Sequence, residues 1–139
     1  MKRELMSKDV IEKAHKLADM IKEIAIGDLN IPNIEVCICD IGKRYGYISV
    51  KEKKIFISNT ITDINVFIDC IFHEFRHAHQ IIYNRAILND YKHATCKEDF
   101  ADYYNHPSEV DAREYAINMM KIHCTKIREI KYLYRRNML

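Results

Sequence analysis

Glycine and proline are scarce in this chain, at three and two residues in 139. That scarcity disfavours an all-β or low-complexity chain and favours helix. Long apolar runs are missing as well. No stretch approaches the 18 or more apolar residues of a membrane span. No apolar segment follows the basic start Met1-Lys2-Arg3-Glu4-Leu5, so no signal peptide is expected and the protein is read as cytoplasmic. Neither sign of charge dominates. Twenty-two Lys and Arg against 20 Asp and Glu give a formal charge of +2, which offers no general argument for a nucleic-acid partner. The five cysteines (Cys37, Cys39, Cys70, Cys96, Cys124) are odd in number and include no C-x-x-C pair. They read as buried free thiols rather than a zinc-ribbon site, with Cys37-x-Cys39 the one spacing that could hold a metal.

The remaining composition, 48% hydrophobic and 30% charged, is that of one soluble domain over residues 1–139, long enough to bury a core. Residues 7–26 repeat apolar side chains every three or four positions, which predicts an amphipathic helix capped by Ser7 and stopped by Gly27. Residues 31–58 carry β-branched and aromatic runs broken by Gly42, Gly46 and the tetrapeptide Lys51-Glu52-Lys53-Lys54. They predict two or three short antiparallel strands, the last hairpin turning at the tetrapeptide. A second helix is expected over 64–83, capped by Thr62 or Asp63, and residues 84–106 lack a clear period. A third helix starts at Pro107, in the favoured first position. Its pattern continues toward Arg136 with a break near His123 to Thr125, and the last segment is basic, read as a solvated face. The fold class expected is α+β: a short antiparallel sheet packed on a mainly helical body.

The second helix carries His73-Glu74-Phe75-Arg76-His77. On a helix, side chains four apart share a face one turn apart, so two imidazoles can take one Zn²⁺ at about 2.0–2.1 Å. Glu74 points from the adjacent flank, where it can serve as base to a water on that metal. Composition alone would write such a pentapeptide in roughly a few per cent of similar chains, so a helix, a third ligand and a cleft are needed beside it. The helix supplies two faces. Ile64, Ile68, Ile71, Phe75, Ala78 and Ile82 form an apolar stripe, while Val66, Cys70, His73 and His77 lie nearly opposite. Asp69, one turn before His73, is a candidate to orient an imidazole or to pair with a base. His79 falls outside the ligand face. Tyr91, Phe100, Tyr103 and Tyr104 read as packing aromatics, any of the tyrosines being able to donate to an oxyanion.

A catalytic zinc keeps three protein ligands and an open position. The downstream candidates are His93, Asp102, His106, Glu109 and Asp111. Glu109 is favoured because Ala112 and Ala116, three and seven residues on, let its helix approach the His73–His77 helix closely. An acid in the first turn also suits the helix dipole. Asp111 points to another face, either supporting a ligand or pairing with a base.

The H-E-x-x-H helix followed by Glu109-Val110-Asp111-Ala112-Arg113-Glu114-Tyr115-Ala116 resembles the ImmA/IrrE-type zincin-like metallopeptidases over roughly residues 45–120. The resemblance implies one Zn²⁺ on His73, His77 and Glu109, with Glu74 as catalytic base. It implies a protein or peptide substrate, family substrates including repressor-type regulators encoded with mobile elements. The chain departs from the family at Arg76, where members often have Gly. SprT-like metalloproteases are a competing resemblance. They use a third His some fifteen residues after the motif, near His93, but the expected His-Gly is His93-Ala94 here. The expectation from sequence is thus a zinc metallopeptidase, with a zincin-shaped regulator holding a structural or vestigial metal as the alternative. No membrane partner is expected.

Overall fold

The computed structural model describes residues 6–90 and 100–139. Its first helix, α1 (Lys8–Leu29), begins where Ser7 accepts the Val10 N–H at 3.3 Å. It does not stop at Gly27. Ile21, Ala25 and Leu29 keep a four-residue spacing and are all buried, so core burial carries the helix on. Gly27 lies on the exposed side. The helix closes instead at Asn30, whose φ of 52° is left-handed, a conformation Asn tolerates better than most residues.

Three strands follow: β1 (Glu35–Cys39), β2 (Gly46–Ser49) and β3 (Lys54–Ser58), in the spatial order β1-β3-β2. The β2–β3 pair is the expected antiparallel hairpin, turning at residues 50–53 with Lys53 at φ 55°. The fully antiparallel sheet is not found, because β1 pairs parallel to β3. The β1–β2 connection carries the chain past the central position to the far edge, and β3 then returns between them. An Asx turn starts that connection, with Asp40 accepting the Gly42 N–H at 3.0 Å and Gly42 at φ 73°. The parallel register sets Val36 beside Ile55 and Ile38 beside Ile57. All four are buried, and the sheet packs on α1 and the next helix. The alternate side chains of β1, Cys37 and Cys39, are free and half-buried rather than buried.

Helix α2 (Ile64–Tyr83) is capped by Asp63, which accepts from the N–H groups of Asn65 and Val66 at 2.8 and 3.2 Å. Its core face is Ile68, Ile71, Phe75 and Ala78, widened by Phe67 and Phe72. Ile82 is not part of it. At 44% exposed it faces solvent. A 3₁₀ turn (Arg85–Leu88) and a short helix α3 (Phe100–Tyr104) lie within the segment that lacked a period. His93 and Tyr91 fall outside the described residues.

Helix α4 (Pro107–Ile122) packs against α2, with Ala112 and Ala116 completely buried. Helix α5 (Cys124–Arg135) breaks from it at His123 and folds against α1, burying Ile127 and Ile130. Fully burying each large apolar side chain contributes about 1.5–3 kcal/mol, so α2, with Phe67, Ile68, Ile71, Phe72 and Phe75 all buried, anchors the core. Among the described residues no helix is long and apolar enough to cross a membrane. The fold is mixed α and β, and mainly helical.

Candidate metal centre

His73 and His77 project from α2 on one face. Glu109, in the first turn of α4, meets them from across the helix–helix contact. The Glu109 carboxylate lies 2.8 Å from His73 Nε2 through one oxygen and 3.1 Å from His77 Nε2 through the other, while the two Nε2 atoms are 3.2 Å apart. Ligand atoms of a tetrahedral zinc at 2.0–2.1 Å stand roughly 3.4 Å from each other. The two ring nitrogens stand near that spacing, and the Glu109 carboxylate faces both of them, a different oxygen toward each ring. Among the described residues this is the one group of three or more His, Cys, Asp or Glu with that convergence.

Hydrogen bonding behind these three groups fixes the state of His77. Gln80 is completely buried, one turn further along α2. Its amide nitrogen faces two acceptors, Ser108 O at 2.9 Å and Asp111 Oδ2 at 2.8 Å, so its oxygen must face His77 Nδ1, at 2.8 Å. Nδ1 therefore carries hydrogen and donates to Gln80. The Nε2 of a neutral His77 then presents a lone pair toward the Glu109 carboxylate, and two lone pairs 3.1 Å apart call for a cation between them. A proton can fill that role. Burial pulls the His77 pKa down, but the hydrogen bond to Glu109 and the charge of Glu74 outweigh it and bring the pKa up to about 9. A divalent metal placed there would meet the same Nε2 lone pair.

Glu109 is pushed up by burial, yet its hydrogen bonds with His73 and His77 hold it well below the usual carboxylate range. Glu74 differs. It is buried, accepts no such pairing, and desolvation raises its pKa despite the nearby imidazoles. One carboxylate is thus kept ionised while its neighbour gains affinity for a proton, the division a ligand and a base require. The Tyr103 hydroxyl hydrogen-bonds Glu109, and burial together with the charges of Glu109 and Glu74 lifts its pKa to about 12, keeping the proton on.

The group opens into a cleft of about 1080 Å³ between β2, α2, α3 and α4. Strand β2 forms one wall and approaches Glu74 closely. A Cβ added at Gly46 would stand 3.2 Å from Glu74 Cγ and 3.1 Å from Ile57 Cδ1, so glycine lets the strand run this near the carboxylate without pushing either side chain aside.

Of the residues singled out from sequence, His73, Glu74, His77 and Glu109 meet in this cleft. Asp111 accepts two hydrogen bonds from Arg76, at 2.8 and 3.2 Å, and one from Gln80. It therefore pairs with a base, as one of its two expected roles had it, and holds the Gln80 amide as well. Asp69 lies in the cleft wall, where burial raises its pKa and His73 partly offsets the rise; no hydrogen bond joins it to either imidazole. His106 is used as the cap of α4, its Nδ1 accepting from the Ser108 N–H at 3.2 Å. Asp102 is exposed on α3 and His79 lies against Tyr83. Sequence reasoning missed Gln80 and Gly46. Gln80 had a signal, a polar side chain three residues after a ligand and within a buried turn of helix. Gly46 had none, since its role depends on which strand passes α2.

No protein-family profile, no curated protein and no solved structure matches this chain, so its function is argued from the geometry above.

Proposed function

We propose that the chain is a zinc-dependent peptidase with a small zincin-like fold. His73, His77 and Glu109 would hold the ion, and Glu74 would act as general base. The observation that carries this reading is the convergence of two imidazoles and one carboxylate, with a second, buried carboxylate left beside them and open to a cleft. Two imidazoles and one carboxylate, with room for a further ligand, suit zinc better than the all-oxygen cations. When bound, zinc supplies a Lewis acid that polarises a carbonyl and lowers the pKa of water to about 7.

The chain's own residues supply the rest. Glu74, its proton affinity raised by burial, accepts a proton from the attacking water and passes it to the leaving amine. Tyr103 keeps its proton, and by turning it from Glu109 would donate to the oxygen of the tetrahedral carbon. Gln80 holds the His77 ring through Nδ1. Strand β2 is at the edge of the sheet, and its main chain can pair with an extended substrate laid along the cleft. That pairing favours a polypeptide over a compact small molecule. The two motifs shared with ImmA/IrrE-type metallopeptidases support the same reading.

Metal analysis of the purified protein and of His77→Ala is the first test. Near-stoichiometric zinc is expected in the former and loss in the latter; equal, negligible zinc in both would sink the site. Glu74→Gln should then retain zinc and lose hydrolysis of a peptide pool by at least about a hundredfold. A zinc-loaded wild-type protein that cleaves nothing would instead favour a regulator with a structural metal.

A further inference from the structure

We infer that the cleft selects peptides with acidic side chains flanking the bond to be cut, read by Arg44 and Arg113; this rests on the peptidase reading above. Three separate elements bring cations to the cleft lining: Lys43 and Arg44 from the β1–β2 connection, Arg85 from the turn after α2, and Arg113 from α4. Among the described residues, no carboxylate lies within salt-bridge distance of any of them. The chain as a whole is nearly balanced in charge, so the concentration at this mouth is local.

The carboxylates in the lining do not offset it. Glu109 is engaged with two imidazoles, Glu74 is buried at the floor, and Asp69 is half-buried beside them. Arg113 is held 3.7 Å from the centre of the Tyr104 ring, and Arg44 5.3 Å from that of Tyr47. A guanidinium held over an aromatic face keeps its N–H fork available for a planar carboxylate. Arg44 is also near enough for its charge to act on Glu74 and Tyr103, which sets it beside the reacting centre. An extended chain paired with β2 would send alternate side chains to opposite sides, toward cations on different walls.

A nucleic acid fits less well. The walls between the cations include Ile48, Val50 and Leu88, which offer nothing to a continuously charged phosphate backbone. A peptide brings negative charge only where a side chain carries it.

The test uses fluorescent peptide pools, randomised at the centre and carrying Glu, Gln or Lys at the flanking positions. Binding is measured to the zinc-loaded Glu74→Gln protein, and cleavage of the same pools by wild type is followed in parallel. The Glu pool is expected to bind about tenfold more tightly than the Gln pool, equivalent to ~1.4 kcal/mol, and the Lys pool most weakly. Raising salt from about 0.05 to 0.5 M should erase most of the difference. Adding Arg44→Gln and Arg113→Gln, singly and together, should reduce the Glu-over-Gln ratio stepwise, with zinc content and circular dichroism checking the fold. Cleavage with no acidic preference, and equal affinities for all pools, would overturn the selectivity and leave the peptidase reading standing. Acid-selective binding with no cleavage of any pool would do the reverse. A single-stranded oligonucleotide binding more tightly than the Glu pool, through the same arginines, would overturn the inference in favour of nucleic acid.

Discussion

Replacing Gln80 with leucine removes one acceptor and two donors from a side chain that is 1% exposed. The acceptor matters most. Without it the His77 Nδ1–H is buried with no partner, a penalty of about 1–3 kcal/mol. The ring also loses the contact that fixes Nε2 as its ligand atom, and losing such a supporting contact typically weakens metal binding by about 10–100-fold. Gln80→Leu should therefore lower both the stability of the metal-free protein and its zinc affinity. Gln80→Glu separates the two. It keeps an oxygen opposite Nδ1, so zinc affinity should stay within about threefold of wild type. It also turns the donors to Ser108 O and Asp111 Oδ2, at 2.9 and 2.8 Å, into a third carboxylate facing acceptors, so stability should still fall. Competition with a chromophoric chelator gives the affinities, and urea denaturation of the metal-free proteins gives the stabilities. If the Gln80→Leu protein binds zinc as wild type does, or if both variants lose affinity equally, then Gln80 does not orient His77 and the tautomer argument fails.

Further expectations concern pH, the strand over the base, and the thiols. In the metal-free protein burial pushes Glu109 and Asp111 up, but their hydrogen bonds hold both below ordinary values of 4.5 and 3.8. Their stabilisation is thus present above those values and is lost as pH falls through the depressed ones. His77, raised from 6.5 to about 9, contributes fully below 6.5 and loses its contribution as pH rises through 9. Metal-free stability should consequently be highest between about pH 5 and 6.5 and decline toward pH 9, while zinc affinity rises over the same alkaline range as ligands lose protons. Metal-free stability that climbs from pH 6.5 to 9 would contradict the assigned His77–Glu109 pairing. Gly46→Ala places a methyl 3.2 Å from Glu74 Cγ and should reduce kcat more than zinc content; equal loss of both would mean that the strand supports the fold rather than the base. Burial and the charges of Asp69 and Glu74 push the Cys70 thiol up to about 12, whereas Cys124 is exposed. Iodoacetamide followed by peptide mass mapping should therefore mark Cys124 well before Cys70.

Much of this arrangement is legible in the sequence because it is local. The spacing of His73 and His77 needs only helical geometry, and the apolar stripe of α2 supplies the helix. Glu109 is reached by one further step, since Ala112 and Ala116 announce a close helix contact before any coordinates exist. The parallel pairing of β1 with β3 is different. Each strand is readable from its β-branched residues, but partner choice depends on where the β1–β2 connection leads, which no short-range pattern encodes. Gly27 misled for a related reason: its weak helix propensity, about 1 kcal/mol, is outweighed by the burial of Leu29 one turn of spacing after Ala25. Gln80 and Gly46 stayed hidden because each acts on a group that only the tertiary fold brings near it.

The donor groups come from two helices alone, α2 and α4, which pack together, with Ala112 and Ala116 of α4 at 0% exposure. A bound ion in such a place reads the spacing between two rods. Anything that alters that spacing, such as a methyl group added at Ala112 or Ala116, changes metal affinity without touching a ligand. By reciprocity, metal bound at a hundred times its Kd would clamp the two helices with about 2.7 kcal/mol. If the site holds metal as proposed, core packing and metal occupancy would be one coupled equilibrium, and a chelator titration would also measure how firmly α4 is seated.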